Sequence, residues 1–277
     1  MTWTVVARKE FTDAFRARIL WGIVAIIGVL TGAITLATRF IPGIEPNPLT
    51  GLGAAAQFAA MLVPIMSLVA AYLAIAGERE SGSVKVLLGL PPSRGEVVLG
   101  KFLGRGGVVG LGLVLGFTVA GVATAAAYGT LPVSTFVSIT LLTVMLGVTF
   151  VGIAVGISAA TGTRARAMTV SIAVYLVLVL LWDLLPQGLH FLVHGTTPSG
   201  TVPGWFLGLQ ALSPPGAYNA LVMAVLGAGD PTVPGLAARV DGSLPIYLES
   251  WFLLGLLALW TLIPLALGYR WFERADL

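Results

Sequence analysis

The sequence predicts an all-α polytopic membrane protein, from its composition and from the spacing of its charged residues. Hydrophobic residues make up 57% of the 277 residues and charged residues only 10%, with a mean hydropathy of +0.97. Water-soluble domains carry roughly 25% charged residues, so this chain cannot cover a soluble surface. The composition therefore excludes a soluble enzyme, a nucleic-acid-binding protein, a disordered hub and a disulfide-linked scaffold.

Six apolar stretches are long enough to cross a bilayer, which takes about 20 residues per helix. Residues 106–163 hold two crossings, because Gly129 and Pro132 mark a turn between them. Asp183 is the one charged residue within a span. The predicted spans of this single membrane domain, 1–277, are residues 19–38, 57–77, 106–128, 133–160, 167–185 and 250–269.

The basic residues predict the orientation, because Lys and Arg are retained in cytoplasmic flanks. Of the 15 Lys and Arg, all but Arg39 and Arg239 lie on one side of the predicted spans. The flanks on that side are residues 1–18, 78–105, 164–166 and 270–277. Both termini are therefore expected in the cytoplasm. The excess of Arg over Lys favours a prokaryotic source and hence the plasma membrane.

Residues 1–18 have the pattern of an amphipathic helix. One helical face carries Trp3, Val6, Ala7, Phe11, Ala14 and Phe15, and the opposite face carries Arg8, Lys9 and Arg16. Glu10 interrupts the apolar stripe. We expect an interfacial helix on the cytoplasmic leaflet that leads into the first span, in contact with lipid. The alternative is a basic flank that only sets topology.

The cytoplasmic loop 78–105 predicts a helical hairpin. It opens with a charged cluster, Glu78-Arg79-Glu80-Ser81-Gly82, and continues with a short apolar face formed by Val84, Leu87 and Leu88. Pro91 and Pro92 end this helix. Ser93 and Glu96 have the spacing of a capping box, so a second helix begins there and runs into the third span. Such a hairpin suits docking on a protein, or it is a well-capped connection.

The segment 187–247, on the external side, is too irregular to cross the membrane. Its two apolar pieces, Trp205–Leu212 and Tyr218–Leu226, are each too short to span. We expect interfacial or re-entrant helices that cap the outer end of a pathway or act as a lid.

Several motifs resemble catalytic sites but lack essential parts. Residues 95–102 match a P-loop until Phe102, where Mg²⁺ binding needs Ser or Thr. Gly227-Ala228-Gly229-Asp230 resembles an intramembrane aspartyl protease motif, but it lies in an external loop. His190 and His194 share a helical face, and two ligands do not make a metal site. We expect no catalytic residue, metal or cofactor in this chain.

Two further features concern the interior of the membrane. Asp183 is a candidate functional residue, because an ionisable group in a span is costly. No other predicted span carries a charge, so no proton relay is visible. The third span and its approach are rich in glycine, which permits close helix packing or a dimer contact. These glycines are Gly104, Gly106, Gly107, Gly110, Gly112, Gly116 and Gly121.

The loop motif resembles the loop between the second and third spans of type-2 ABC transporter permeases. The matching residues are 77–83, 87–91, 93–94 and 99–104. The opening Ala7-Arg8-Lys9-Glu10-Phe11 is similar to the N-terminal helix of that family, particularly its NosY-like branch. Ser83 stands where the family more often has Thr, which keeps the hydroxyl.

The resemblance implies a permease that pairs with a second copy or a paralogue above two separate ATPase subunits, which bind ATP and Mg²⁺. In that family the loop after the second span is the coupling helix, a role that falls here on residues 78–90. Residues 161–166 would form a smaller contact. The implied interface comprises Glu78, Arg79, Glu80, Ser81, Gly82, Ser83, Val84, Leu87, Leu88, Arg94, Thr163 and Arg164.

Two other classes remain open from the sequence. One is a membrane enzyme, although no span pairs catalytic groups. The other is a membrane scaffold whose ATPase drives a mechanical output. The family favours export, and no residue identifies a substrate.

Overall fold

The computed structural model describes residues 3–16, 19–41, 47–82, 93–230 and 233–275. Within these ranges the chain forms helices and no strand, apart from one isolated bridge between Val202 and Val240. The α-helices are α1 (Trp3–Arg16), α2 (Ile19–Ala37), α3 (Pro48–Ala71), α4 (Ala76–Glu80), α5 (Arg94–Tyr128), α6 (Val133–Ala160), α7 (Arg164–Tyr175), α8 (Leu184–His194), α9 (Gly204–Ala211), α10 (Pro214–Gly229) and α11 (Ser250–Glu273).

The predicted six spans are confirmed among the described residues. Six helical segments are long and apolar enough to cross a membrane. They are α2, α3 with α4, α5, α6, α7 with α8, and α11. Helix α6 coincides with the predicted fourth span, and the first span is extended by a 3₁₀ turn, Thr38–Phe40.

The second span begins nine residues earlier than predicted. Helix α3 starts at Pro48, which needs no hydrogen-bond acceptor in the first turn. The side chain of Asn47 accepts a hydrogen bond from the Leu49 N–H at 2.8 Å and caps the helix. Pro48, which precedes the predicted span, therefore lies at the start of its helix.

The second span also contains a break, at residues 72–75, between α3 and α4. Neighbouring helices satisfy the backbone groups that the break leaves free. The Ser158 hydroxyl accepts hydrogen bonds from the N–H groups of Ile75 and Ala76, each at 2.9 Å. The Arg105 guanidinium donates to the Ala70 carbonyl at 3.1 Å. Hydrogen bonds with side chains of α5 and α6 thus stabilise the break.

The capping box predicted at Ser93 is confirmed. The Ser93 hydroxyl accepts from the Glu96 N–H at 3.3 Å, and the Glu96 carboxylate accepts from the Ser93 N–H at 2.9 Å. Helix α5 therefore begins at Arg94 and continues without interruption to Tyr128. The last helix, α11, continues beyond its predicted end to Glu273.

The helix of the fifth span continues beyond the predicted end at residue 185 and through Pro186. A wide π-helical turn, Leu176–Leu181, precedes a turn at Trp182 and Asp183, and α8 then carries the span to His194. Proline lacks an N–H and its ring crowds the carbonyl four residues earlier, here that of Trp182. The irregular turn before Pro186 leaves room for its ring and needs no hydrogen bond from its nitrogen.

Helices α1 and α2 pack along one face of α5 that is marked by glycines at intervals of four residues. A Cβ atom at Gly104 would lie 2.6 Å from the Cβ of Glu10 and 2.7 Å from the Ala7 carbonyl oxygen. A Cβ at Gly112 would lie 2.9 Å from Ile23. The glycines therefore allow α1 and α2 to approach the α5 backbone closely.

The segment between the last two spans contains the short helices α9 and α10. Helix α10 packs against α3, α6 and α11. Its Tyr218 is fully buried, with its hydroxyl 2.9 Å from that of Thr143 and 3.3 Å from the Ala56 carbonyl oxygen. This segment is therefore anchored in the bundle.

Candidate coupling surface at the charged end of the bundle

The two segments predicted to contact an ATPase lie side by side in the structure. The Arg79 guanidinium donates hydrogen bonds to the carbonyls of Ala159 and Thr161, at 3.3 and 3.0 Å. The Glu80 carboxylate accepts a hydrogen bond from the backbone N–H of Arg164. Helix α4 is thereby fixed to the turn between α6 and α7.

Local sequence explains this contact. Thr163 caps α7, with its side chain accepting from the Arg166 N–H at 3.3 Å. The N–H groups of a helix's first turn have no partner inside the helix and attract an anion. The Glu80 carboxylate supplies that anion from the neighbouring helix. The contact thus joins an acidic helix end to a helix start.

The outer side of this contact is exposed. Glu80, Ser81, Thr163 and Arg164 are all exposed, and Gly82 has a φ of +75°, in the left-handed region that favours glycine. We call Glu80, Ser81, Gly82, Thr163 and Arg164 the coupling surface. The predicted contacts Ser83, Val84, Leu87 and Leu88, and with them the predicted hairpin, lie outside the described residues.

Arg94 is engaged within the chain. Its guanidinium donates to the carbonyls of Phe272, Glu273 and Ala275 at 2.6, 2.7 and 3.0 Å. It also lies 5.6 Å from the centre of the Phe272 ring. A basic side chain satisfies the free carbonyls at a helix end. Arg94 therefore closes the C-terminal end of α11.

An ion cluster with a buried centre lies beside the coupling surface and was not predicted. The Lys101 ammonium is 2.7 Å from a Glu10 carboxylate oxygen and 2.8 Å from one of Glu78. The Arg105 Nε is 2.9 Å from the other Glu10 oxygen. Lys101 is only 1% exposed. We call Glu10, Glu78, Lys101 and Arg105 the ion cluster.

The ion cluster determines the charge state of Glu10. Burial raises the pKa of this carboxyl, but the positive charges of Lys101 and Arg105 and their hydrogen bonds outweigh burial, so the pKa lies below its ordinary value. Glu10 does interrupt the apolar face of α1, and the ion cluster supplies its partners there. Val6, Glu10 and Ala14 are the buried residues of that helix.

The sequence did contain a signal for this cluster. Gly100 and Gly104 immediately precede Lys101 and Arg105, which places two basic residues beside a close helix contact. An acidic residue on the apolar face of the contacting helix supplies the opposite charge. Counting Lys101 and Arg105 among the basic residues that set topology does not reveal this pairing.

The remaining candidates lie elsewhere. Gly112 and Gly116 contact α2, whereas Gly106 and Gly110 face Val148 and Val144 of α6. These four glycines are thus occupied by contacts within the chain.

Asp183 and the two histidines lie toward the opposite end of the bundle. The fifth span begins at Arg164, in the coupling surface, and ends at His194. The His190 and His194 rings stack with centroids 4.4 Å apart. His190 Nδ1 is 3.0 Å from the Thr196 carbonyl oxygen. Among the described residues no group of three or more potential ligands could hold a metal ion. The histidines therefore pair with each other and with the backbone.

The fold and this site define a helical polytopic membrane protein with an exposed, charged surface at one end. A family model described as ABC-2 family transporter protein matches residues 4–277. The chain therefore belongs to the ABC-2 family of transporter proteins, in agreement with the resemblance of its loop.

Two relatives match over almost their whole length. The chain is 29% identical over 281 residues to the probable ABC transporter permease protein NosY of Pseudomonas aeruginosa, covering 99% of this chain and 98% of that protein. It is also 29% identical over 284 residues to the probable ABC transporter permease protein NosY of Stutzerimonas stutzeri, covering 97% of each.

Proposed function

We propose that this chain is the permease subunit of an ABC exporter in a prokaryotic plasma membrane, driven by ATP hydrolysis in separate ATPase subunits. Family membership and two relatives named as permeases support a permease subunit. The observation that carries ATPase coupling is the contact of Glu80 with Arg164, because it unites two distant loops in one exposed surface.

The proposed orientation has the coupling surface in the cytoplasm. Trp3 lies beside Gly100 and Ala275 beside Arg94, so both ends of the described chain are at the charged end of the bundle. The asymmetry of Lys and Arg supports a cytoplasmic location for that end. An ATPase bound on that side would contact residues 78–82 and residues 161–166 together.

The proposed mechanism transmits movement through the ion cluster. A displacement of α4 by the ATPase is transmitted to α1 and α5, because Lys101 of α5 binds both Glu78 of α4 and Glu10 of α1. The break at residues 72–75 separates α4 from the membrane part of the second span. Helix α4 can therefore tilt relative to α3, together with the turn between α6 and α7 to which it is bound. We propose that this motion opens a path between two permease copies.

The partners follow from the family. We propose a second permease copy and two ATPase subunits, which bind the ATP and Mg²⁺.

The segment of this chain that resembles a P-loop, residues 95–102, lies within α5. Beyond the first turn of the helix, its backbone N–H groups are used in hydrogen bonds within the helix and do not form a phosphate-binding loop.

The test is a charge reversal at the coupling surface. Glu80→Lys places a cation at the start of α7 and removes the anion that binds the Arg164 N–H. Gly82→Trp adds bulk at a left-handed position. We expect both variants to insert normally but to lose the co-purifying ATPase and ATP-dependent activity. Asp13→Lys, an equal reversal at an exposed site on α1, is the control.

A normal yield of the complex and normal ATP hydrolysis in Glu80→Lys and Gly82→Trp would contradict this assignment. Loss of the complex in Asp13→Lys as well would mean that charge at this end, rather than the coupling surface, determines assembly.

A further inference from the structure

Asp183 lies in the part of the fifth span that is away from the coupling surface, where the helix is irregular. The π-helical turn Leu176–Leu181 and the turn at Trp182 separate it from regular helix on one side, and α8 begins directly after it. The Trp182 indole N–H donates to the Leu209 carbonyl at 2.9 Å, which fixes this turn against α9. Irregular turns of this kind are common at functional sites.

The surroundings of Asp183 are polar, although it belongs to a span. The residue is exposed on the single chain, and lipid contact of a carboxylate is strongly unfavourable. Gln57 of α3 and Asn219 of α10 line the same recess, and Gln210 lies within hydrogen-bonding reach of the carboxylate. Three helices and this turn therefore present amide groups and one acid to a common space.

The space has the size of a small-molecule site. The larger recess has a volume of about 280 Å³, and an adjoining recess that shares Gln57, Asp183 and Asn219 has about 180 Å³. Small-molecule sites begin at roughly 300 Å³. Phe58, Met61 and Leu180 form the apolar wall of the larger recess. A recess with one polar side and one apolar side suits a ligand with one polar end and one apolar end.

The charge of the larger recess is negative. Asp183 is the one charged residue that lines it, and Arg239 lines only the adjoining recess. In the described part of the chain the close ion pairs all belong to the ion cluster at the other end of the bundle. Asp183 therefore has no basic side chain within ion-pair distance there.

We propose that this recess binds a small organic cation, with its positive group against Asp183 and its apolar group against Phe58 and Met61. The Phe58 ring adds a surface that attracts cations. Gln57 and Asn219 add amide groups to the lining of the recess, where they can hydrogen-bond the polar end of a ligand. That such a cation is cargo rests on the proposed function, whereas its binding does not.

The chain contains no cysteine, so one introduced thiol is a unique reporter. We would introduce Asn219→Cys, reconstitute the full chain in nanodiscs and measure its reaction with two methanethiosulfonate reagents, one bearing trimethylammonium and the other sulfonate. Both reagents form a disulfide with the thiolate and release methanesulfinate, so only their charge differs. Leu262→Cys on α11 is the control, because it is 58% exposed and lines no such recess.

We expect the cationic reagent to react roughly tenfold faster than the anionic one at Asn219→Cys, because a nearby carboxylate concentrates cations. Adding Asp183→Asn is expected to reduce that ratio to near one. Benzyltrimethylammonium at millimolar concentration is expected to slow the labelling when Asp183 is present, whereas benzenesulfonate is not. Leu262→Cys is expected to react slowly with both reagents.

The proposal is overturned if Asn219→Cys is unreactive, if the two reagents react equally, or if benzyltrimethylammonium protects equally well after Asp183→Asn. None of these measurements needs an ATPase. Failure here therefore leaves the proposed permease function standing, and loss of the ATPase contact in the earlier experiment leaves this site standing.

Discussion

Lys101 of α5 and Glu10 of α1 form an ion pair of 2.7 Å in which both side chains are buried. Glu78 accepts a second hydrogen bond from the same ammonium, and Arg105 binds the other oxygen of Glu10. Two acids and two bases therefore balance within one cluster, in which Glu10 and Lys101 are buried and Glu78 and Arg105 are partly exposed. Because each charge depends on the others, loss of a single member has a larger effect than loss of a pair.

Lys101→Met is expected to destabilise the protein by about 3 kcal/mol, because it leaves two carboxylates with one remaining base. Adding Glu10→Gln to that variant is expected to recover part of the loss. Thermal unfolding in nanodiscs measures both effects. Lys9→Met, at an exposed site on α1, is the control and is expected to change little. Equal effects of Lys9→Met and Lys101→Met would argue against a structural role for the cluster.

Acid is expected to weaken the fold through Glu10. Its carboxyl has a pKa below the ordinary 4.5 in the folded protein, so its ion pairs contribute fully above that value. As the pH falls toward the folded-state pKa this contribution is lost, because the unfolded chain binds the proton first. We expect the Tm of the wild type to fall below about pH 5 and to converge with that of Glu10→Gln.

The pH dependence has a direct control in Asp13→Asn, which removes an exposed acid from the same helix. That variant should retain the full acid-dependent loss. A Glu10→Gln variant that loses stability with acid as steeply as the wild type would assign the effect to other carboxyls.

Gly104→Ala is expected to displace α1 from α5. The added Cβ would lie 2.6 Å from the Glu10 Cβ and 2.7 Å from a backbone oxygen that cannot rotate away. Overpacking of this kind costs about 1–3 kcal/mol. Arg8 and Lys9 lie on α1, so faster tryptic cleavage at these residues reports the displacement.

The matched control is Gly255→Ala, also within a helix, where an added Cβ meets nothing within 4 Å. It should leave tryptic cleavage unchanged and be neutral or slightly stabilising. Unchanged cleavage in Gly104→Ala would mean that α1 does not depend on this close approach.

Ser158→Ala is expected to weaken the junction between α3 and α4. It removes the one acceptor shared by the N–H groups of Ile75 and Ala76 and leaves both buried donors unpaired. Such a loss costs about 1–3 kcal/mol per group. Hydrogen exchange at residues 75 and 76 should accelerate, and Ser134→Ala, at an exposed site on α6, should not alter it. Slow exchange in Ser158→Ala would exclude this capping role.

Sequence patterns predicted those features of the fold that depend on residues close together in the chain. The capping box at Ser93 and Glu96 placed the start of α5, because both hydrogen bonds lie within four residues. The six spans followed from apolar length alone. The ends of the second and fifth spans were less accessible to local patterns, since proline is compatible both with the first turn of a helix, as at Pro48, and with an irregular turn that bundle packing supports, as before Pro186.

The candidate site was predicted only in part. The loop motif indicated Glu80 and Arg164 separately, but their contact joins residues 84 positions apart and depends on how α4 meets α7. The ion cluster required the close approach of α1 to α5, which no local pattern specifies. Arg94 was assigned to a partner because nothing near it in the sequence reveals the end of α11.

The link from Arg94 to the carbonyls of Phe272, Glu273 and Ala275 also dictates an order of events during synthesis. Those acceptors are made 178 to 181 residues after Arg94. At ribosomal speeds of about 5–20 residues per second, these acceptors are synthesised roughly 9 to 36 seconds after Arg94. The charged end of the bundle is therefore completed last, after every span has been made.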